Sequence, residues 1–173
     1  MQDAEYVNKD DIVSVDDTIE INGITYKIEK YEHTTEFGNR NKDTVAEFLK
    51  DSYEGNIDEN YNLSNGYSYI FVTMTYTNNT DEQVEILRNA GAFYIINDDL
   101  ERLQVGDHGG IYIDNYWTEG KENEKYHYVL GAGESVKSEV GYIIQDEWMS
   151  EDSKYIYCLL YTSPSPRDRQ KSR

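Results

Sequence analysis

The sequence predicts an all-β protein, a sandwich or barrel of about eight short strands. Apolar and polar residues alternate with a period of two in several stretches, whereas helical periodicity appears only once. Turn-forming Asn, Asp and Gly residues separate these stretches. Tyrosine is abundant, with 17 of 173 residues, and its ring suits a half-buried pleated surface.

The first elements are a hairpin and one short helix. Thr18–Tyr31 alternates around Asn22-Gly23, the pair that favours a tight two-residue turn. The segment 43–53 carries the helical pattern, with Asp43 as its N-cap and Val45, Phe48 and Leu49 on one face. The sequence therefore predicts a hairpin followed by a helix over about 43–53.

The remaining strands are predicted from alternation and turn signals alone. Tyr67–Thr77 is the strongest core strand, with its apolar side chains on one face and Tyr69, Phe71, Thr73 and Thr75 on the other. A long irregular stretch from Leu100 to Lys125 separates the predicted strands 92–96 and 126–130. The other predicted strands are 84–87, 92–96, 126–130, 135–145 and 154–157.

The strongly negative charge restricts the possible partners. The formal net charge is −18, and removing the four basic residues and one acidic residue of 158–173 takes it to −21. Such an excess repels phosphate backbones and anionic membrane surfaces, so nucleic acid is not an expected partner. Cations, basic protein surfaces and neutral glycans are compatible with it. No apolar run is long enough to insert into a membrane.

The two ends differ from the predicted domain at 16–157. Residues 1–15 form an N-terminal extension without the basic and apolar regions of a signal peptide. Residues 158–173 contain both prolines and the single cysteine, and they resemble the translation of a transposon-end sequencing adapter. This resemblance implies that 158–173 is a non-native tail and that the natural domain is truncated near Tyr157.

Three stretches resemble a family of immunoglobulin-like (telokin-like) lipoproteins of Gram-positive bacteria. They are TIEINGITYKIEKYEHT, GYSYIFVTMTYTNNTDEQVEI and YVLGAGESVKSEVGYIIQDEW. The resemblance covers 16–157 and implies an immunoglobulin-like β-sandwich, anchored to the cell envelope in the full-length protein. It implies no catalytic or ligand-binding residues.

One aromatic cluster is a candidate ligand site. Tyr112, Tyr116 and Trp117 lie in the long irregular stretch near Gly109-Gly110. Exposed rings on a loop could stack on a sugar or a peptide. The alternative is that these rings seal the open end of the core, because large aromatic side chains are usually buried.

A calcium site is the only cofactor that the sequence suggests. Asp58, Asn60 and Asn62 place oxygen atoms at alternate positions, as calcium loops do. Leu63 and Tyr69 stand where an EF-hand needs Gly and Glu, so the pattern is not an EF-hand.

The sequence favours a binding protein over an enzyme. The three histidines are far apart, and no motif of a nucleophile or a zinc ligand set occurs. We therefore expect an extracytoplasmic binding or adhesion module that contacts protein or glycan through loops at one end. The alternatives are a structural domain stabilised by calcium and, more distantly, a carbohydrate-active enzyme.

Overall fold

The fold is all-β, with ten strands and little helix among the residues that the structure describes. A computed structural model describes residues 6, 9, 15–88, 91–103, 110–114, 127–148 and 154–159. Within these ranges the one α-helix, α1, is a single turn at Leu49–Ser52, and 3₁₀ turns lie at Lys42–Thr44 and Asp146–Trp148. The strands are β1 Thr18–Ile21, β2 Ile24–Thr34, β3 Tyr67–Asn78, β4 Val84–Leu87, β5 Gly91–Ile96, β6 Arg102–Leu103, β7 Tyr112–Ile113, β8 His127–Leu130, β9 Ser135–Gln145 and β10 Lys154–Leu159.

The strands form three antiparallel sheets. The largest has the order β1-β2-β3-β9-β7, so the long strand β3 lies at its centre. A three-stranded sheet has the order β10-β5-β6, and β4 pairs with β8. The pairing of β2 with β3 shifts register between Ile28 and Lys30, which marks a β-bulge.

The first core lies between the large sheet and the β4-β8 pair. Side chains on one face of the sheet meet Ile86 from β4 and Leu130 from β8. The sheet contributes the alternate, inward-facing residues that the sequence pattern predicts. Its buried members include Ile70, Val72, Met74, Tyr76, Val140, Tyr142 and Ile144.

The opposite face of the large sheet is buried as well, because residues 35–66 fold over it. We call this segment the second layer. Its buried side chains Phe37, Leu49 and Leu63 pack on the rings of Tyr69 and Phe71 in β3. Phe37 is central, since its ring lies edge-on to those of Tyr69 and Phe71. Both faces of β3 are therefore covered at this end of the strand.

Arg40 fastens the second layer to the sheet. Its guanidinium carbon lies 3.4 Å from the ring centroid of Phe71. Its Nε donates to Glu139 Oε1 at 2.7 Å, and its Nη2 donates to Glu32 Oε2 at 3.0 Å. The remaining nitrogen, Nη1, donates to the carbonyl oxygen of Phe37 at 3.0 Å. One side chain thus joins the segment to β2, β3 and β9.

The side chains buried between the second layer and the large sheet form a second core, and Gly141 in β9 leaves room for the ring of Phe71 in it. A Cβ atom built on Gly141 would lie 2.7 Å from Cε1 of Phe71 and 3.1 Å from Cβ of Tyr112. Real Cβ atoms do not approach another atom as closely as 2.7 Å, so a side chain here would displace the ring of Phe71. Because Gly141 has no side chain, the ring of Phe71 can pack against its backbone.

The fold class predicted from the sequence is confirmed, and three of its details need correction. The strands number ten instead of about eight, because the two-residue strands β6 and β7 lie in the stretch predicted to be irregular. The helix predicted over 43–53 is wrong in extent: the chain makes a 3₁₀ turn at Lys42–Thr44 and one helical turn at Leu49–Ser52. Val45 and Leu49 are buried against the sheet without a continuous helix between them, and Phe48, predicted to share their face, is 57% exposed. β10 continues two residues past Tyr157, where Cys158 and Leu159 pair with β5.

We expect Arg40→Met to destabilise the protein. Methionine keeps part of the apolar contact with Phe71 but removes every hydrogen bond to Glu32, Glu139 and Phe37. Hydrogen bonds to charged groups are worth about 2 kcal/mol each, and losing partners for half-buried carboxylates should lower the free energy of unfolding by about 2–4 kcal/mol. Urea denaturation measures this value. Lys30→Met removes an exposed charge and serves as the control, and an equal effect of the two substitutions would contradict the role given to Arg40.

Candidate functional site

Three turns meet at one end of the sandwich, and we call this surface the three-turn end. They are Asn22-Gly23 between β1 and β2, residues 79–83 between β3 and β4, and residues 131–134 between β8 and β9. They meet because β2, β3 and β9 are antiparallel neighbours and their ends are in register there, with Ile24 opposite Asn78 and Thr77 opposite Ser135.

Asn78 holds two of these turns together from inside the protein. It is fully buried. Its side-chain Nδ2 donates to the carbonyl oxygens of Glu82 at 2.8 Å and Gly131 at 2.9 Å. Its Oδ1 accepts from the backbone N of Thr80 at 2.9 Å and from the hydroxyl of Thr80 at 2.7 Å. One amide thus satisfies polar groups from both turns.

Asn79 joins the third turn to the other two. Its backbone N donates to the carbonyl oxygen of Gly23 at 2.8 Å, and its Nδ2 donates to Thr25 Oγ1 at 2.7 Å. Gly23 has φ of +77°, and a Cβ atom there would lie 2.5 Å from Cγ2 of Thr80. The three turns therefore form one hydrogen-bonded unit instead of three independent loops.

The turns of the three-turn end carry only acidic charged residues, and the first exposed base beyond them on β9 is Lys137. Glu20, Asp81, Glu82 and Glu134 are exposed there, and the turn residues themselves include no Lys or Arg. Glu134 is partly committed to the structure, since its Oε2 accepts from the backbone N of Gly131 at 2.7 Å. The surface combines a fixed backbone with exposed carboxylates, which suits contact with cationic groups.

The residues predicted to bind calcium lie together, but their oxygens face donors from their own loop. Oδ1 of Asp58 accepts from the backbone N of Asn60 at 2.8 Å and of Asn62 at 2.7 Å. Oδ2 of Asp58 accepts from Nδ2 of Asn62 at 3.0 Å. The hydrogen bond from the Asn62 backbone is the main cause of a lowered pKa of Asp58. The oxygen of the Asn62 amide accepts from the backbone N of Phe37 at 3.1 Å.

This loop thus has a structural explanation that needs no ion. Within the described ranges, no group of three His, Cys, Asp or Glu side chains is placed to hold a metal. Calcium binding by Asp58, Asn60 and Asn62 stays a prediction, which thermal melting can test.

Of the three residues of the candidate stacking platform, the structure describes Tyr112. Tyr112 is 3% exposed and belongs to the second core. Its ring lies edge-on to Phe37 at 5.4 Å and to Phe71 at 5.7 Å between centroids. Burial raises the pKa of the Tyr112 hydroxyl to about 12. The structure thus places Tyr112 in the core, as the alternative to a stacking platform expects, whereas Tyr116 and Trp117 lie outside the described residues, so a platform formed by the three rings stays a prediction.

A serine, a histidine and an aspartate meet near the opposite end of β3, but not as a nucleophile and its base. The hydroxyl of Ser68 donates directly to Oδ1 of Asp146 at 2.6 Å. Nε2 of His33 lies 3.8 Å from the same oxygen. A nucleophilic serine needs the imidazole as its proton acceptor, with the carboxylate behind it. Here the carboxylate takes the central position instead.

Sequence reasoning missed a buried polar chain inside the sandwich. Arg88 is fully buried, its Nη1 donates to Ser138 Oγ at 3.4 Å, and Ser138 donates to Asp114 Oδ1 at 2.9 Å. The guanidinium carbon lies 5.2 Å from the ring centroid of Tyr128. Desolvation lowers the pKa of Arg88, and the charge of Asp114 acts against this effect. No motif around Arg88 signals its burial, because the partners come from three distant parts of the sequence.

The fold and these features define the chain as a β-sandwich protein with a second layer over one sheet. No protein-family model matches the chain, and no curated protein is significantly similar to it in sequence. No helix in the described ranges is both long and apolar enough to cross a membrane.

Several solved bacterial structures are similar to the chain at low identity. An uncharacterised β-sandwich protein from Clostridium difficile is 11% identical, with 84% of this chain and 83% of that chain covered and a TM-score of 0.45. The yjhA protein from Bacillus subtilis is 12% identical, with 91% of each chain covered and a TM-score of 0.47. A lipoprotein candidate from Bacillus subtilis, ycdA, is 9% identical, with 84% of this chain and 39% of that chain covered and a TM-score of 0.43. These likenesses assign no activity to the chain.

We expect Asn78→Ala to destabilise the protein far more than Asn79→Ala. The first substitution leaves buried carbonyl and N–H groups without hydrogen-bond partners. Each such group costs about 1–3 kcal/mol. The free energy of unfolding should fall by about 3 kcal/mol. Asn79 is exposed, so water can replace its side-chain contacts. Urea denaturation measures both values, and equal losses would contradict the central role of Asn78.

We expect Asp58→Ala to lower the melting temperature at neutral pH, because the loop loses its main acceptor. The folded pKa of Asp58 is lowered, so its contribution is complete above the unfolded pKa of about 3.9 and is lost as the pH falls further. The difference between the wild type and the variant should therefore shrink below about pH 4. Melting in the presence of calcium forms the second part of the experiment. A calcium-dependent increase in the wild type that is absent from the variant would identify a metal site.

Proposed function

We propose that this chain is a non-catalytic binding module of a bacterial envelope protein, and that its three-turn end docks on a basic protein surface. The observation that supports this proposal most is the fixed geometry of that end. Asn78 and Asn79 link all three turns by hydrogen bonds. A surface that is ordered before binding loses little conformational entropy when a partner docks.

Charge favours a cationic protein as the partner. The chain has a formal net charge of −18, and the turns of this end contain no basic residue. Negative potential of this size steers a positively charged partner and increases the rate of association. The sequence predicted that protein or glycan binds at loops that include Tyr112, Tyr116 and Trp117. The burial of Tyr112 weakens the use of these rings as a stacking platform for either partner.

The envelope location and the immunoglobulin-like subtype are parts of the same proposal. Their support is the resemblance of the three sequence stretches to the telokin-like lipoproteins. The DNA sequence upstream of Met1 tests the location, since an envelope lipoprotein requires a signal peptide that ends in a lipobox cysteine. An upstream frame with a stop codon directly before Met1 would argue against it.

The proposed docking surface is tested with two variants of equal charge. The triple variant Glu20→Gln, Asp81→Asn, Glu82→Gln neutralises the three-turn end. The control Glu36→Gln, Asp43→Asn, Glu59→Gln neutralises three exposed acids of the second layer. The probe is a lysine-rich peptide, titrated by fluorescence anisotropy at physiological salt. We expect about tenfold weaker binding for the first variant and less than about threefold for the control, because local charge pairs depend on position.

Two outcomes would contradict the proposal. Equal weakening by both variants would show that the peptide senses only the total charge. Absence of binding by the wild type would remove basic surfaces as the partner class. Circular dichroism on each variant separates these results from unfolding.

A further inference from the structure

The sequence contains two Asn-Gly pairs, and both lie in turns of the same conformation. Asn22 and Gly23 have φ of +51° and +77°, and Asn65 and Gly66 have φ of +55° and +82°. Two consecutive residues at positive φ are typical of type I′ turns. Asn22-Gly23 joins β1 to β2, and Asn65-Gly66 leads into β3. The two pairs can therefore be compared directly.

The backbone surroundings of the two pairs also match. The carbonyl oxygen of Gly23 accepts from the backbone N of Asn79 at 2.8 Å, and that of Gly66 accepts from the backbone N of Asp146 at 2.7 Å. Neither glycine donates its own backbone N–H to a residue in the described part of the chain. Both peptide nitrogens that follow an asparagine therefore lack a hydrogen-bond partner there.

The two asparagine side chains differ in what holds them. Nδ2 of Asn65 donates to the carbonyl oxygen of Gly55 at 3.1 Å and to Oδ1 of Asn56 at 3.0 Å. Asn22 is exposed, and its amide makes no hydrogen bond to any of the residues that the structure describes. Rotation that brings Cγ to the next peptide nitrogen therefore breaks two hydrogen bonds at Asn65 and none at Asn22.

We propose that Asn22 is a site of spontaneous deamidation. The backbone nitrogen of Gly23 loses its proton to base and attacks Cγ of Asn22. Ammonia leaves with a proton from water, and the new C–N bond closes a five-membered succinimide. One water molecule then opens the ring at either carbonyl, which gives aspartate or isoaspartate at position 22. Overall, water is consumed, ammonia is released and no oxidant is needed. Glycine favours the attack because it has no side chain to crowd the nitrogen.

The fold itself retains the reactive pair. A φ of +77° at position 23 favours glycine, and a Cβ atom there would lie 2.5 Å from Cγ2 of Thr80. Asparagine tolerates the positive φ of position 22 better than most other residues. The turn thus requires the two residues whose sequence makes deamidation fast.

Deamidation changes the chemistry of the three-turn end, whatever that surface binds. Either product adds a carboxylate to turns whose charged residues are all acidic. Isoaspartate also moves Cβ into the main chain, so the two-residue turn becomes one bond longer. This change displaces the carbonyl oxygen of Gly23 from the backbone N of Asn79, whereas aspartate leaves the length of the turn unchanged.

The test follows both asparagines in the full chain during incubation in mildly alkaline buffer enriched in oxygen-18 water. Peptide mass mapping measures the exchange of NH₂ for OH at each position, and incorporated oxygen-18 identifies hydrolysis that occurred during the incubation. We expect Asn22 to react about tenfold faster than Asn65, because the hydrogen bonds of Asn65 must break first. In urea, where both turns are unfolded, the two rates should become similar.

Asn56→Ala is the matched variant, because it removes one acceptor of Asn65 and leaves the Asn22 turn unchanged. Deamidation at Asn65 should become several times faster in this variant, and the rate at Asn22 should stay the same. Circular dichroism confirms that the variant is folded. Three results would overturn the proposal: equal rates at the two positions in the folded chain, the same ratio of rates with and without urea, or no acceleration at Asn65 in the folded variant.

Discussion

The arrangement depends first on the contact between Arg40 and the outer face of the large sheet. A sheet with aromatic side chains on both faces must bury both, and the β4-β8 pair covers only one. Residues 35–66 cover the other with almost no regular structure of their own. Backbone hydrogen bonds close the turns of this segment, and the backbone N of Ala46 donates to the carbonyl oxygen of Ile111 outside it. The guanidinium of Arg40 adds side-chain contacts to the large sheet, because it binds two strands through Glu32 and Glu139 and stacks on a third through Phe71.

Strand β3 supports the two ends of the molecule in different ways. The first half of β3 carries Tyr69 and Phe71, which bury against the second layer. Its last residue, Asn78, turns its amide inward and holds the turns of the opposite end. A central strand buried on both faces is the most rigid place in a sheet from which to position a turn. The three-turn end is therefore supported by the core as well as by hydrogen bonds among its own turns.

The sequence predicted what depends on local patterns. The Asn22-Gly23 hairpin and the strands 67–78 and 135–145 followed from alternation and turn residues, and the structure has them with small changes at their ends. The second layer could not be predicted in this way. Tyr69 and Phe71 were assigned to a second face, but nothing in the alternation says which distant segment covers it. The apolar spacing at 43–53 that predicted a helix arises because Val45 and Leu49 are buried on the sheet. A short irregular segment buries these two side chains as well as a helix would. Arg88 escaped notice because its burial depends on residues that are about 25 and 50 positions away.

Gly141 restricts how this architecture can vary. The ring of Phe71 and the Cβ of Tyr112 lie too close to Gly141 for any other residue to place its first side-chain carbon there without a shift. Replacement there requires that Phe71 move, and Phe71 supports the guanidinium that fastens the layer. Substitution at this one position would therefore propagate to a segment about a hundred residues earlier in the chain, and a chain of the same strand order without this glycine must cover its sheet in another manner.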